Sequence, residues 1–184
     1  MIRGGFPGSV GANMSQTTDE WFDVVNARDE VVGRETRRVV HATGLWHRAV
    51  HVLVFDRAGR VFLQKRSMKK DLSPGLWDSS CSGHLDAGED YDAAAVRELG
   101  EEIGVRGAAV PERWFRLEAC VETGWEFCWI YRLRHDGPLL LHPEEIETGE
   151  WLEPAELARR MAARPQDYCS SFTLIWQRVE RERA

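Results

Sequence analysis

The sequence lacks the features of a secreted disulfide scaffold and of a membrane protein. Its 184 residues include only four cysteines and no CxxC pair, so we expect reduced thiols in a cytoplasmic protein. No apolar run approaches the roughly 20 residues that cross a bilayer, and the start of the chain has no apolar signal segment. These absences predict a protein without a membrane partner.

The chain also lacks a net positive charge. The net charge of −6 is opposite in sign to the field that binds a nucleic-acid backbone, which argues against stable binding of long DNA or RNA. A small phosphorylated substrate is compatible with this charge, because a bound Mg²⁺ supplies local positive charge.

The length fits one domain. Residues 1–18 are rich in Gly, Ser and Thr and predict a disordered leader, followed by a single domain over 19–184. Met14 offers an alternative start, which would make residues 1–13 an upstream extension. The sequence leaves the oligomeric state open, a homodimer included.

Alternating and helical patterns of apolar residues predict a mixed β-sheet with helices on its faces. The expected elements are a hairpin over 21–38 with its turn at 26–29, strands at 48–56, 61–66, 114–122, 125–134 and 147–152, and helices at 92–103, 154–163 and 171–183.

The strongest signal lies in residues 83–105. The segment reads Gly83-x5-Glu89-x7-Arg97-Glu98-Leu99-x-Glu101-Glu102-x-Gly104-Val105, with seven fixed identities and two apolar positions. A chance match anywhere in the chain has a probability on the order of 10⁻⁷ at ordinary residue abundances. Coincidence is therefore excluded as an explanation.

The predicted helix gathers carboxylates on one side. Glu98, Glu101 and Glu102 fall within an arc of roughly 100° at helical spacing, opposite the apolar residues Val96, Leu99 and Ile103. Like charges at this spacing destabilise a helix, so a compensating cation is expected. Hard oxygen ligands favour Mg²⁺ or Mn²⁺.

Fixed spacing separates this cluster from an ordinary surface. A group of glutamates on a helix is usually a solvated face, but such a face does not need Gly83, Glu89, Arg97 and Gly104 at set offsets. Arg97 is placed to bind Glu89 and hold the preceding loop against the helix.

These residues match the Nudix box, and the chain therefore resembles the Nudix superfamily, which cleaves a nucleoside diphosphate linked to another moiety. The resemblance implies an α/β/α sandwich with a mixed β-sheet. It implies that Glu98, Glu101 and Glu102 bind metal, with a contribution from the Gly83 carbonyl. It also implies a small diphosphate substrate and structural roles for Glu89 and Arg97.

Two carboxylates are candidates for the general base. Glu98 is the first choice, and Glu126 on a later strand is the second, because some family members place an extra carboxylate outside the box. The alternative for Glu126 is an exposed strand residue without a catalytic role.

A second resemblance covers about residues 30–155. The runs Leu63-Gln64-Lys65-Arg66-Ser67, Pro74-Gly75-Leu76-Trp77 and Ser82-Gly83-His84 look like the branch that contains type I isopentenyl-diphosphate isomerase. On this resemblance His41, His47, His84 and Glu126 match metal ligands and imply a second metal site. Gly124 stands where that branch has another ligand glutamate. The alternative is that the histidines are ordinary hydrogen-bonding residues.

Ser82 departs from the isomerase pattern. It occupies the position of the catalytic cysteine, while Cys81 would point to the opposite face of its strand. The box is also intact here, whereas isomerases usually have a degraded box. We therefore expect hydrolysis, with a prenyl-diphosphate isomerase as one alternative and a catalytically silent binding module as the other.

Two further features have open interpretations. Arg66 and Lys65 precede the box and are candidates for contact with a substrate phosphate, or for solvated positions. Aromatic residues alternate opposite Glu126, as a base-stacking platform or as core. They are Trp125, Phe127, Trp129 and Tyr131.

Overall fold

A computed structural model describes residues 20–107 and 109–183. The leader predicted over 1–18 lies outside the described residues. The strands are β1 (Trp21–Val25), β2 (Val31–Thr36), β3 (His47–Phe55), β4 (Val61–Arg66), β5 (Trp77–Asp78), β6 (Cys81–His84), β7 (Glu112–Leu117), β8 (Glu126–Arg134) and β9 (Ile146–Leu152). The helices are α1 (Arg37–Thr43), α2 (Tyr91–Glu102), α3 (Pro154–Ala163) and α4 (Ser170–Arg183), with a 3-10 turn at Pro165–Asp167.

The strands form two sheets. Strands β1 and β2 pair as an antiparallel hairpin, and the other seven form one sheet with the order β5-β4-β3-β8-β7. In the larger sheet β6 also pairs with β3, and β9 with β4. Among the strands named above, β3 and β8 pair in parallel and the other pairs are antiparallel, so the sheet is mixed, as the sequence predicts.

Helices cover both faces of the large sheet. Strand β3 shows this, because Ala49 and Leu53 belong to a core that contains residues of α3 and α4, while Val50 and Val52 belong to a core built on α2. Side chains that alternate along a strand point to opposite faces. The α/β/α sandwich is therefore confirmed.

The hairpin is shorter than predicted. Residues 37 and 38 do not continue β2 but open helix α1, which ends at Gly44 in the left-handed conformation (φ 66°) with its N–H donated to the Val40 carbonyl. Glycine favours this way of ending a helix because it has no Cβ to clash. Helix α1 carries His41, so the error affects the site directly.

Strand β7 ends at Leu117 rather than at 122. The reason is the Thr123 hydroxyl, which accepts hydrogen bonds from the backbone N–H groups of Cys120 (2.9 Å) and Glu126 (3.3 Å). A threonine side chain that satisfies backbone groups in this way competes with strand pairing. Residues 118–125 form a tight turn beside the site instead.

Within the described residues no helix is both long and apolar enough to pass through a bilayer. The four cysteines are all unpaired.

Candidate active site

One large cavity of about 750 Å³ lies at the ends of β3, β6 and β8, beside α2. Two groups of metal-ligating side chains meet there. The carboxylate cluster consists of Glu98, Glu101 and Glu102 on α2, with Gly83 on β6 beside them. The histidine cluster consists of His41, His47, His84 and Glu126.

The glutamates of α2 lie on the side of the helix that faces strand β6. Asp90 caps the helix and accepts hydrogen bonds from Asp92 N and Ala93 N, which fixes where the helix begins. Glu98 and Glu102 are buried, whereas Glu101 is exposed at the cavity mouth. The structure thus brings two of the three predicted carboxylates together inside and leaves the third at the rim.

Glu102 is held in place by two donors. Its Oε2 accepts hydrogen bonds from the backbone N–H of Ser82 (2.9 Å) and from the side-chain amide of Gln64 (3.1 Å). Gln64 is itself almost fully buried on β4. The carboxylate therefore has a single orientation toward the cavity.

Position 83 requires glycine because the Glu98 side chain lies directly against its backbone. A Cβ at this position would collide with the carboxylate of Glu98. Because glycine has no side chain, the backbone of β6 and the Glu98 carboxylate can lie against each other. The backbone of Gly83 therefore lies directly against the carboxylate cluster.

Arg97 joins the loop, the helix and the strand. Its guanidinium donates twice to Glu89 (2.9 and 2.8 Å), in the two-point geometry that an arginine and a carboxylate favour. It also donates to the His84 carbonyl (2.9 Å) and to Glu98 (2.7 Å). The predicted pair with Glu89 is present, and Arg97 additionally connects the two clusters.

Burial dominates the electrostatics of the carboxylate cluster. It raises the pKa of Glu98 and of Glu102, and for Glu102 the nearby charge of Glu98 raises the pKa further. Ionised carboxylates this close together in a low-dielectric site need a counter-ion. The cluster therefore fits a divalent cation.

In the metal-free protein Glu98 and Glu102 should lower stability as the pH rises, against the opposite contribution of the histidines His84 and His41, whose lowered pKa values favour the folded state at higher pH. Below the ordinary glutamate pKa both carboxyls are protonated whether the chain is folded or not. Above it the unfolded chain gives up protons that folded Glu98 and Glu102 retain, so their contribution to stability falls until the pH passes their raised pKa. Urea unfolding in a chelator, from pH 4 to pH 9, measures this slope.

The matched control is the double variant Glu98→Gln, Glu102→Gln, which lacks both titrating groups. Between pH 4 and pH 9 the wild type should lose stability relative to this variant, and millimolar Mg²⁺ should remove that relative loss by binding to the wild type. Equal slopes in the two proteins would show that the carboxyls are not buried together.

The histidine cluster draws one donor from each of four elements: α1, β3, β6 and β8. One donor atom from each of the four residues lies within 4.8 Å of all the others. Oε1 of Glu126 is 3.0 Å from His84 Nε2 and 3.4 Å from His47 Nε2. The structure therefore brings together all four residues that the isomerase resemblance suggested.

His47 presents the lone pair that a metal requires, whereas His84 accepts a hydrogen bond from Arg37 at Nδ1 (3.4 Å), so its Nε2 carries a proton that a metal would displace. His47 is fully buried, and its Nδ1 lies 2.9 Å from the Leu45 carbonyl, so this nitrogen carries the proton. Its Nε2 is left with a free lone pair. Nε2 of His41 is buried and has no hydrogen-bond partner among the described residues. Such a buried nitrogen fits a metal site.

The pKa values agree with this geometry. Burial lowers the pKa of His84 to about 4 and also lowers the pKa of His41. Burial alone would raise the pKa of Glu126, but contacts with His84 and His47 hold it well below its ordinary value. Neutral imidazoles beside an ionised carboxylate are the forms that bind Zn²⁺ or Mn²⁺.

The two basic residues considered as phosphate contacts occupy different positions relative to the cavity. Arg66 lines the cavity, but Asp78 already binds its guanidinium (3.3 Å). Lys65 is not among the cavity-lining residues and pairs with Glu147 instead. Lys70 and Arg37 do line the cavity, and sequence reasoning missed both because neither belongs to a fixed spacing.

His51 is another residue that sequence reasoning missed. It is buried on β3, lines the cavity and hydrogen-bonds through Nδ1 to Ser79 Oγ (2.8 Å). The period-2 pattern of β3 places it on the same face as His47, and that signal was available from the sequence.

The aromatic residues of β8 are core residues. Phe127 packs edge-on against Trp46, and Tyr131 is buried with its hydroxyl donated to Asp92 (2.6 Å). Neither these residues nor Trp125 and Trp129 line the cavity. The core alternative is confirmed for Phe127 and Tyr131, whereas Trp125 is exposed.

Cys81 and Ser82 face opposite ways. Cys81 is buried in the core beneath α2, and burial raises the pKa of its thiol well above the ordinary value. Ser82 lines the cavity. The side chain next to His84 that can meet a substrate is thus a hydroxyl and not a thiol.

Residues 45–171 match the NUDIX domain family, and the chain belongs to this family. An uncharacterized Nudix hydrolase of Yersinia pestis is 33% identical over 84% of this chain and 80% of its own length. A Serratia proteamaculans protein named isopentenyl-diphosphate Delta-isomerase is 35% identical over 85% of this chain and 89% of its own length.

A solved structure agrees with these relatives. The crystal structure of a Deinococcus radiodurans protein superposes with a TM-score of 0.69 at 33% identity, covering 78% of this chain and 90% of that protein. The chain is therefore a Nudix protein of the branch that resembles the isomerase, and its family is one of pyrophosphatase-type enzymes.

Proposed function

We propose that this protein is a Mg²⁺-dependent hydrolase of the diphosphate linkage in a nucleotide or another small diphosphate, with Mn²⁺ as an alternative cation. The observation that carries the proposal is the burial of Glu98 and Glu102 side by side at the cavity wall. Without a cation this arrangement only costs stability.

The chain's residues have distinct roles in this proposal. Glu98, Glu101, Glu102 and the Gly83 carbonyl hold the cation, which when bound lowers the pKa of a water molecule and neutralises phosphate charge. Glu89 and Arg97 keep the loop and α2 in register. Arg66 is the proposed phosphate contact, although it would share its charge with Asp78.

The general base is proposed to be Glu98. Its carboxylate faces the cavity next to Glu102, where a water held by the cation would be within its reach. Glu126 is the second candidate, but its contacts with His47 and His84 suit a metal ligand better. We propose that the histidine cluster binds a second metal ion.

A screen with two readouts tests the hydrolase proposal. Nucleoside diphosphates and triphosphates, dinucleotides, sugar nucleotides and non-nucleotide diphosphates are incubated with the protein and Mg²⁺, and phosphate or nucleotide release is measured. We expect at least one substrate to be cleaved and a chelator to abolish the cleavage. Tight nucleotide binding without turnover of any substrate would favour a silent binding module instead.

An isomerase activity is the second candidate, because the histidine cluster is complete except at Gly124. We expect no allylic product from isopentenyl diphosphate at high enzyme concentration, since Ser82 supplies a hydroxyl where that reaction uses a thiol. Proton NMR of the diphosphate detects the product. Formation of dimethylallyl diphosphate by the wild type would overturn the hydrolase assignment.

Ser82→Cys is the matched variant. It restores the thiol without changing the size of the side chain greatly. Isomerisation by the variant alone would show that residue 82 separates the two activities. Two further parts of the proposal concern the whole protein. The free thiols support a cytoplasmic location. We also propose a homodimer, which sedimentation in solution would test.

A further inference from the structure

The histidine cluster supplies only four protein donors. They come from His41, His47, His84 and Glu126, and each offers one ligand atom to a common point. Structural metal sites are filled by protein ligands, whereas sites that meet substrate keep a position open. Mn²⁺ and similar ions accept more than four ligands, so it matters which direction the protein leaves free.

The side of the histidine cluster without a protein ligand faces the cavity. His84 and Glu126 line the cavity wall, whereas His41 and His47 are not among the lining residues. A fifth ligand therefore has to approach from the cavity.

Gly124 lies on the cavity side of the histidine cluster. It lines the cavity beside Glu126, and the atoms that a Cβ at residue 124 would meet within 4 Å are Oε1 and Cδ of the Glu126 carboxylate. A side chain at residue 124 would therefore point at the cluster. Its φ of 71° favours glycine, but Asn and Asp also adopt this conformation, so the backbone alone does not exclude a ligating side chain.

The carboxylate cluster borders the same space. Gly83 and His84 are consecutive on β6, and Arg97 binds both the His84 carbonyl (2.9 Å) and Glu98 (2.7 Å). Both clusters therefore open onto the same cavity.

We propose that glycine at residue 124 leaves an exchangeable coordination position on the metal of the histidine cluster, and that this position binds an anionic oxygen of the phosphate class. The inference rests on the metal site in the proposed function but not on hydrolysis. The metal of the histidine cluster thus contacts substrate and does not serve only to hold the four elements together.

The experiment uses the full chain loaded with one equivalent of Co²⁺, in excess Mg²⁺ to fill the carboxylate cluster. The visible spectrum is recorded while inorganic phosphate and then pyrophosphate are added. We expect a saturable spectral shift in the wild type. His84→Ala should abolish the Co²⁺ spectrum, which assigns it to the histidine cluster.

Gly124→Glu tests the position itself, and Gly124→Ala controls for backbone strain. The glutamate should fill the coordination position and weaken phosphate binding at least about tenfold, while the alanine variant should keep the wild-type response. If Gly124→Glu does not fold, the wild-type titration still decides.

Three results would overturn the inference: a Co²⁺ spectrum that phosphate and pyrophosphate leave unchanged, a Co²⁺ spectrum that persists in His84→Ala, or a folded Gly124→Glu variant that binds phosphate as tightly as the wild type. A phosphate-dependent shift in a protein that hydrolyses nothing would leave the inference standing and remove the proposed function.

Discussion

Replacing Glu102 with glutamine is expected to lower kcat at least about a hundredfold. The substitution keeps the shape of the side chain but removes the charge that would bind the cation. The fold should be retained, because an amide oxygen can still accept the hydrogen bonds from Ser82 N and Gln64 Nε2. Steady-state kinetics on the best substrate of the screen measure the loss.

Glu112→Gln provides the control, since Glu112 is an exposed residue of β7 and does not line the cavity. It should show wild-type turnover. If Glu102→Gln also turned over at the wild-type rate, the carboxylate cluster would not be the metal site.

Loss of Arg97 is expected to have the largest effect on stability. Arg97→Ala leaves Glu89, whose side chain is mostly buried, with only the backbone N–H of Asp86 as a donor, and it also frees the His84 carbonyl. An uncompensated, partly buried carboxylate of this kind costs about 2–3 kcal/mol. Urea unfolding of wild type and variant, both with chelator, measures the difference.

The variant Arg97→Lys separates the effect of charge from that of the two-point contact. Lysine keeps the charge but cannot make the two-point contact with Glu89, so it should recover less than half of the lost stability. A loss below about 0.5 kcal/mol in Arg97→Ala, the range of ordinary surface substitutions, would show that Arg97 does not hold the loop against α2.

The sequence allowed the box to be predicted well because its signals are local. The spacing from Glu98 to Glu102 fixes which side of α2 they occupy, and the Glu89–Arg97 pair spans one loop and two helical turns. Strand alternation likewise placed Cys81 away from the cavity. Such features need only the periodicity of one element.

Features that depend on distant elements were not predictable in this way. The donor from Gln64 to Glu102 joins β4 to α2, and the cavity position of Lys70 depends on the path of the loop that follows β4. Helix α1 was missed because a seven-residue helix has little periodic signal. The histidine cluster came only from resemblance, since its members share no spacing.

Cleavage of a diphosphate in ¹⁸O-enriched water, followed by ³¹P NMR, tests the central claim most directly. Hydrolysis breaks one phosphorus–oxygen bond of the anhydride, and the oxygen of water joins the attacked phosphorus. We predict one labelled oxygen per turnover, found in only one of the two products, with Mg²⁺ and not with chelator. Intact substrate across the panel, or products without label, would contradict the assignment of this Nudix protein as a metal-dependent hydrolase.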